Sequence, residues 1–264
     1  MKKLFFLLLL TMMACIGCQW KFQSPEDTEK TGDIVVERFD RVEYLYLTSG
    51  DFAALQQMKT LYPIETGTLI EDVLKLGRVD DPDINTRFLI FFQDSTLQAL
   101  MQGVNEQYAD IDDLNKDLTK SFTRLTKNIP GLEIPHIYTQ IGSLDQSVIV
   151  GDSMVGISLD KYLGANYPIY QKYGYTEQQR AMMTRKYIVP DCLGFYLLRH
   201  YPMPEEAADS AELRHEHMAK IQYVVNQVMR QRIFNNERIR EVEKFMLQHK
   251  EVGYDELLSA KNHQ

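Results

Sequence analysis

Three short runs of β-branched and aromatic residues in the middle of the chain constrain its fold most. The runs are HIYTQI at 136–141, SVIV at 147–150 and MVGISL at 154–159. Such residues favour strands, and Gly151-Asp152-Ser153 suits a hairpin turn between the last two runs. Because the connections are short, the sequence predicts a small antiparallel sheet of about three strands.

The sequence on both sides of these runs is mostly helical in pattern. The segments 51–62 and 108–125 carry apolar residues at helical spacing, and Asp51 can cap the first of them. The segment 34–47 begins as a β-rich run and continues as a strand or a first helical turn. From Glu177 onward the chain is again helical, with Pro190 as one interruption. Helices before and after a cluster of strands predict an α+β fold.

The first eighteen residues, MKKLFFLLLLTMMACIGC, are typical of a secretory signal. Two lysines precede an apolar run that is too short to span a membrane. Gly17-Cys18 resembles the end of the box that precedes the acylated cysteine of bacterial lipoproteins. Cys18 is therefore the predicted lipidation site, with Cys15 as the alternative. The chain is predicted to comprise a signal peptide at 1–17, a flexible polar tether at 18–33 and one domain at 34–264.

Charge and lipidation together predict how the protein meets a membrane. Acyl chains such as palmitate on Cys18 would hold it there, since each buried methylene contributes about 0.8 kcal/mol. The formal net charge of −8 and the lack of a long basic run exclude nucleic-acid binding. The same acidity disfavours direct contact with anionic lipid. We expect a cell-envelope protein on the inner or outer membrane, with a periplasmic domain and envelope protein partners.

Motifs that would indicate catalysis are scarce. His215 and His217 lie two residues apart in a predicted helix, so their imidazoles diverge and cannot share one ion. Cys192 is next to Asp191, whose charge opposes thiolate formation. The sequence has no phosphate-binding glycine loop and no nucleophile elbow. These residues predict no catalytic group, no cofactor and no metal site.

The segment 162–175 is unusually rich in tyrosine. Its five tyrosines are Tyr162, Tyr167, Tyr170, Tyr173 and Tyr175. Tyrosine combines a large apolar ring with a hydrogen-bonding tip, which suits a partner surface. A loop held on its own domain by aromatic anchors fits the pattern equally well.

The stretch GISLDKYLGANYPIYQKYGYT, which starts at Gly156, resembles the gliding motility lipoprotein GldB family of Bacteroidetes. That family has an aspartate after a strand, then Tyr-Leu-Gly, then Asn or Asp and an aromatic-rich segment. The matching residues, which form the family motif and a candidate partner surface, are Asp160, Tyr162, Gly164, Asn166, Tyr167 and Tyr170. The run at 135–139 also matches the family pattern, and the run at 219–223 resembles the family's Gly-Lys-x-x-Tyr, with Ala219 in place of the glycine.

The GldB family is similar to predicted zinc peptidases in which a helix after the strands carries His-Glu-x-x-His. The resemblance therefore implies a zincin-like scaffold. In the helix expected at 187–198, Pro190 and Gly194 stand where the histidines would be, and Asp191 stands where the glutamate would be. Proline and glycine have no side-chain atom that binds zinc. The resemblance then implies a non-catalytic lipoprotein that acts by protein contacts in a membrane-associated assembly related to gliding or secretion.

Two other functions stay open at the level of sequence. A zinc-dependent envelope peptidase would take its ligands from His136, His200, His215 or His217 in an unconventional arrangement. A ligand-binding lipoprotein would use a concave pocket at the tyrosine-rich segment 162–175.

Overall fold

The computed structural model describes residues 33–205 and 209–259. The predicted signal peptide, the tether up to residue 32 and the two candidate lipidation sites, Cys15 and Cys18, lie outside the described residues. Those predictions, and the domain boundary at residue 34, stay predictions. None of the helices within the described ranges is long and apolar enough to cross a membrane.

A three-stranded sheet lies where the sequence predicts it. Its strands are β1 (His136–Gln140), β2 (Val148–Val150) and β3 (Met154–Ser158), in the spatial order β1-β3-β2. The α+β class and the positions of the strands are confirmed. The prediction that all strands pair antiparallel is wrong, because β3 is parallel to β1 and antiparallel to β2.

The parallel pair arises because the connection after β1 does not turn back as a hairpin. In that connection Ser143 and Leu144 have positive φ angles of 51° and 65°, and the chain returns as β2 on the far side of β3. Tyr138 of β1 is the register partner of Gly156 in β3. A Cβ atom at Gly156 would lie 2.5 Å from the Tyr138 side chain, so only glycine permits this approach. A short connection alone therefore did not determine which strands pair.

A bridge extends the sheet on the outer side of β1. The Glu37 N–H donates to the Ile137 carbonyl at 2.9 Å, and the Thr139 N–H donates to the Glu37 carbonyl at 2.9 Å. Helix α1 (Phe39–Ser49) begins directly afterwards and packs against β1. The segment 39–47 is thus helix rather than strand.

In the described part of the chain, six further helices precede the sheet, and those at 52–60 and 112–128 follow the predicted periodicity. They are α2 (Phe52–Thr60), α3 (Pro63–Gly67), a π-helix (Thr68–Val73), α4 (Ile84–Phe91), α5 (Ser95–Gln107) and α6 (Asp112–Asn128). The Asp51 carboxylate caps α2 by accepting the N–H groups of Ala53 and Ala54, as predicted. On α6, Leu118, Phe122 and Leu125 form a buried stripe at helical spacing.

The chain after β3 is also helical. Its elements are a 3₁₀ turn (Leu159–Tyr162), α7 (Pro168–Lys172), α8 (Glu177–Met182), a second 3₁₀ turn (Arg185–Tyr187), α9 (Ile188–His200), α10 (Ala211–Met229), α11 (Glu237–Gln248) and α12 (Tyr254–Ser259). Pro190 lies in the first turn of α9, where its missing N–H leaves no helical hydrogen bond unmade. Helix α9 packs against β2, β3, α6 and α10, and so connects the sheet to the helices.

Candidate functional site

The family-motif aspartate, Asp160, lies just beyond the end of β3 and is fully buried. Its two carboxylate oxygens accept the N–H groups of Gly142 at 2.8 Å and Leu144 at 2.6 Å. Both donors belong to the connection between β1 and β2. Burial raises the pKa of Asp160, and the two amide donors lower it. Asp160 therefore holds the connection that makes β1 parallel to β3.

The motif tyrosine Tyr170 completes the same buried site from helix α7. Its hydroxyl donates to the Asp160 carbonyl at 2.6 Å and accepts the Leu163 N–H at 2.8 Å. The side chain is 0% exposed. Lys161 adds a further contact, because its Nζ donates to the Leu144 carbonyl at 3.2 Å. Tyr170 thus fixes the turn that follows β3, rather than facing solvent.

Tyr162 joins the motif to helix α9. Its hydroxyl donates to the Asp191 carboxylate at 2.7 Å, and its carbonyl accepts the Tyr108 hydroxyl at 2.6 Å. Burial raises the pKa of Asp191 to about 6, and the hydrogen bond from Tyr162 acts in the opposite direction. The contact of Tyr108 was not predicted, because nothing in its local sequence distinguishes it from other core residues.

The other motif residues lie closer to the surface. Gly164 has a φ of 114°, which favours glycine at that position. Tyr167 is half-buried, and its hydroxyl donates to the Ala99 carbonyl at 3.0 Å. A Cβ atom at Gly103 in α5 would lie 2.7 Å from the Tyr167 hydroxyl, so glycine at this position lets the Tyr167 side chain approach α5 closely. Asn166 is exposed, and Tyr173 is 49% exposed.

The tyrosine-rich segment 162–175 therefore has an inner side and an outer side. Tyr162, Tyr167 and Tyr170 donate hydrogen bonds to the chain's own groups, which fits the aromatic-anchor interpretation. Asn166 and Tyr173 remain available at the surface. An apolar cavity of about 240 Å³ lies elsewhere, between α10, α11 and α12, and is lined by Ala219, Val242, Phe245, Val252 and Leu257 among others. The predicted ligand pocket at 162–175 stays a prediction.

Helix α9 has the residues that the sequence places in the zinc-peptidase position. Asp191 accepts the hydrogen bond from Tyr162 and points to the motif. Cys192 is fully buried, and burial raises the pKa of its thiol. Pro190 is buried, and Gly194 is partly exposed. Within the described ranges, no residue of α9 belongs to a group of three metal-binding side chains.

Among the described residues, the four histidines of the peptidase alternative do not form a metal-binding group of three. His200 packs its ring on Tyr196, with centroids 4.5 Å apart. His217 is buried, and its Nε2 lies 2.9 Å from the Tyr201 carbonyl, whereas His215 is exposed. His136 begins β1 and is grouped with glutamates instead of with another histidine. The described residues thus do not bring these histidines together.

This arrangement is that of a mixed α+β domain in which the motif after the central strand ties a strand connection, a turn and a helix together. Comparison with family models matches residues 21–232 to the family described as gliding motility protein GldB. The chain belongs to this family, which confirms the resemblance seen in its sequence. No curated protein and no solved structure matches the chain. The zincin-like relationship stays a prediction, since the family and the α+β class are what the comparisons and the fold establish.

Membership of this family also indicates the general function of the chain. This is a gliding-motility-related family, and the family label identifies its members as lipoproteins, which suggests a cell-envelope location.

Proposed function

We propose that this chain is a non-catalytic lipoprotein that acts by protein contacts in an envelope assembly related to gliding or secretion. Acyl chains on Cys18 would attach it to a membrane, and the domain would reach its partners in the periplasm. Membership of the gliding motility protein GldB family supports the assembly. The signal-like N-terminus supports the anchor.

One observation carries the non-catalytic part of the proposal. The polar groups of the family motif make hydrogen bonds inside the domain, where Asp160 binds two backbone amides and Tyr162 binds Asp191. A hydrolytic metal centre needs three protein ligands and one open position. Pro190 and Gly194 offer no ligand atoms in the helix that would supply them. The motif is better suited to holding a rigid shape than to performing chemistry.

The outer side of the tyrosine-rich segment is the surface that we assign to partner contacts. Asn166 is exposed, Tyr173 is 49% exposed, and Met182 in α8 is 45% exposed. The buried tyrosines of the same segment hold its backbone, so the exposed side chains are presented from a fixed framework. A preformed surface loses less conformational entropy on binding than a flexible loop does.

Site-specific photo-crosslinking in native membranes tests this surface. A photoreactive residue at Asn166 or Tyr173 should form a defined adduct with an envelope protein. The same residue at Lys127, an exposed position in the last turn of α6, should not. Adducts of equal yield at all three positions, or adducts only at Lys127, would contradict the assignment.

Fatty-acid labelling tests the anchor. We expect Cys18→Ser to lose the label and to accumulate as an uncleaved precursor, because the acylated thiol is gone. The variant Cys15→Ser should keep the label and serves as the control. The reverse result would move the lipidation site to Cys15.

A further inference from the structure

Three side chains of metal-binding type meet at the amino end of β1. Glu37 comes from the bridge before α1, Glu65 comes from α3, and His136 is the first residue of β1. The Nε2 atom of His136 lies 3.4 Å from Glu65 Oε1 and 3.6 Å from Glu37 Oε2. One ligand atom from each residue lies within 4.8 Å of the other two. Among residues 33–205 and 209–259 this is the one group of its kind.

The separations fit ligands arranged around a single ion. Zinc binds histidine nitrogen and carboxylate oxygen at about 2.0–2.2 Å, so two such ligands of a tetrahedral site lie about 3.4 Å apart. The two distances from His136 are 3.4 and 3.6 Å. Direct N–H···O hydrogen bonds are shorter, at about 2.7–3.2 Å. The two separations are those of ion pairs, and they also match the spacing of two ligands that share one ion.

The charges of the group are unbalanced. Within the described chain, neither Glu37 nor Glu65 has a lysine or arginine within ion-pair distance, and His136 is the shared partner of both. Even a protonated imidazole leaves one negative charge uncompensated. The Glu65 side chain is 9% exposed and the Glu37 side chain is 32% exposed, so water screens the charge of Glu65 poorly and that of Glu37 only in part. A bound divalent cation would compensate the remaining negative charge.

The surroundings of the histidine include an aromatic ring on one side and solvent on another. The Tyr138 ring stacks on the His136 ring with an interplanar angle of 17° and a centroid distance of 6.5 Å. The Tyr138 hydroxyl is buried and has no hydrogen-bond partner among the described atoms. The side chains of His136 and Glu37 are 40% and 32% exposed, so the group opens to solvent on one side.

We propose that Glu37, Glu65 and His136 form a binding site for a divalent transition-metal ion of the zinc class, which would link three segments of the domain. A mixed set of one imidazole and two carboxylates suits zinc, whereas calcium and magnesium prefer oxygen ligands alone. The ion would join the segment before α1 to α3 and β1. This site is separate from the family motif, and the proposed protein contacts do not depend on it.

Metal binding by the purified mature chain in detergent, without a polyhistidine tag, tests the site. Calorimetric titration with zinc chloride should show one ion bound per chain, and calcium and magnesium chloride should give no binding. X-ray absorption at the zinc edge should show one imidazole and oxygen ligands, without sulfur. No zinc binding by the unaltered chain, or a sulfur ligand from a cysteine, would overturn the proposal.

Matched variants assign the ion to these residues. We expect His136→Ala and Glu65→Gln to weaken zinc binding by at least about tenfold, since loss of even an outer-shell partner costs about 10–100-fold. The variant His215→Ala, which removes an exposed histidine on α10, should bind zinc as the unaltered chain does. Circular dichroism checks the fold of each variant. His136 is half-exposed, so its substitution should leave the fold intact. The His136→Ala variant therefore still tests the site if Glu65→Gln fails to fold. Unchanged affinity in a folded His136→Ala variant would contradict the site.

Discussion

At the two ends of the β1–β3 pair, carboxylates have different kinds of partner. At one end, Asp160 is fully buried, and its carboxylate accepts the N–H groups of Gly142 and Leu144. At the other end, Glu37 and Glu65 share one imidazole, that of His136. Burial of an acid is therefore no sign of function by itself. The hydrogen-bond partners of the carboxylate indicate its role. A fully hydrogen-bonded carboxylate has a structural role, and a carboxylate with too few partners can bind a ligand.

The largest effect should come from removing the hydrogen-bonded carboxylate. Asp160→Ala leaves two buried amides without acceptors, each of which costs about 1–3 kcal/mol. We expect the free energy of unfolding to fall by about 2–5 kcal/mol, measured by urea denaturation. Asp145→Ala, which removes an exposed acid from the same connection, should change it by less than about 0.5 kcal/mol. Equal effects of the two substitutions would mean that Asp160 does not hold the connection.

The next effect concerns the pH dependence of stability through Asp191. Its pKa in the folded chain is about 6, above its ordinary value of 3.8. Between these values the folded chain keeps a proton that the unfolded chain has lost, so the free energy of unfolding falls as pH rises from about 4 to 6. The full shift corresponds to a fall of up to about 3 kcal/mol.

Asp191→Asn should remove this fall, because asparagine cannot ionise and can still accept the Tyr162 hydroxyl. Urea denaturation at several pH values between 4 and 7 measures this pH dependence of the free energy of unfolding. The variant Asp145→Asn should keep the pH profile of the unaltered chain. A profile that Asp191→Asn leaves unchanged would show that the carboxylate is not perturbed by burial.

The smallest effect should come from a single hydroxyl. Tyr162→Phe removes the hydrogen bond to Asp191 and keeps the ring, so we expect a loss of about 1 kcal/mol in the free energy of unfolding. Tyr173→Phe alters an exposed tyrosine of the same segment and should have no measurable effect. A loss of similar size in both variants would remove the distinction between the inner and outer sides of the segment.

Much of the fold could be predicted from local sequence patterns. The runs at 136–141, 147–150 and 154–159 are strands because their β-branched residues and the turn at Gly151 act locally. The pairing of β1 with β3 could not be predicted, because it depends on Gly156 accepting the Tyr138 ring and on the Asp160 carboxylate holding residues 142 and 144. Those contacts join residues that are distant in sequence.

The candidate site could be predicted only in part, because its contacts also join residues that are distant in sequence. The sequence indicated Asp160, Tyr162 and Tyr170 through their family resemblance, but it did not distinguish an anchor from an exposed partner surface. The residues Glu37, Glu65 and His136 lie in three separate segments without a spacing motif, so the sequence indicated only His136, as one of the four histidines of the peptidase alternative. A buried glutamate in a short helix and a histidine at the start of a strand are informative only once the fold brings them together.

Amide hydrogen exchange at Gly142 and Leu144 tests most directly the central claim, that the motif carboxylate holds the connection between β1 and β2. In the unaltered chain both amides should exchange as slowly as the amides of β3, because Asp160 accepts them in a buried site. In Asp160→Ala they should exchange fast, while the amides of α10 remain protected. Fast exchange in the unaltered chain, or equal protection in a folded Asp160→Ala variant, would contradict the account.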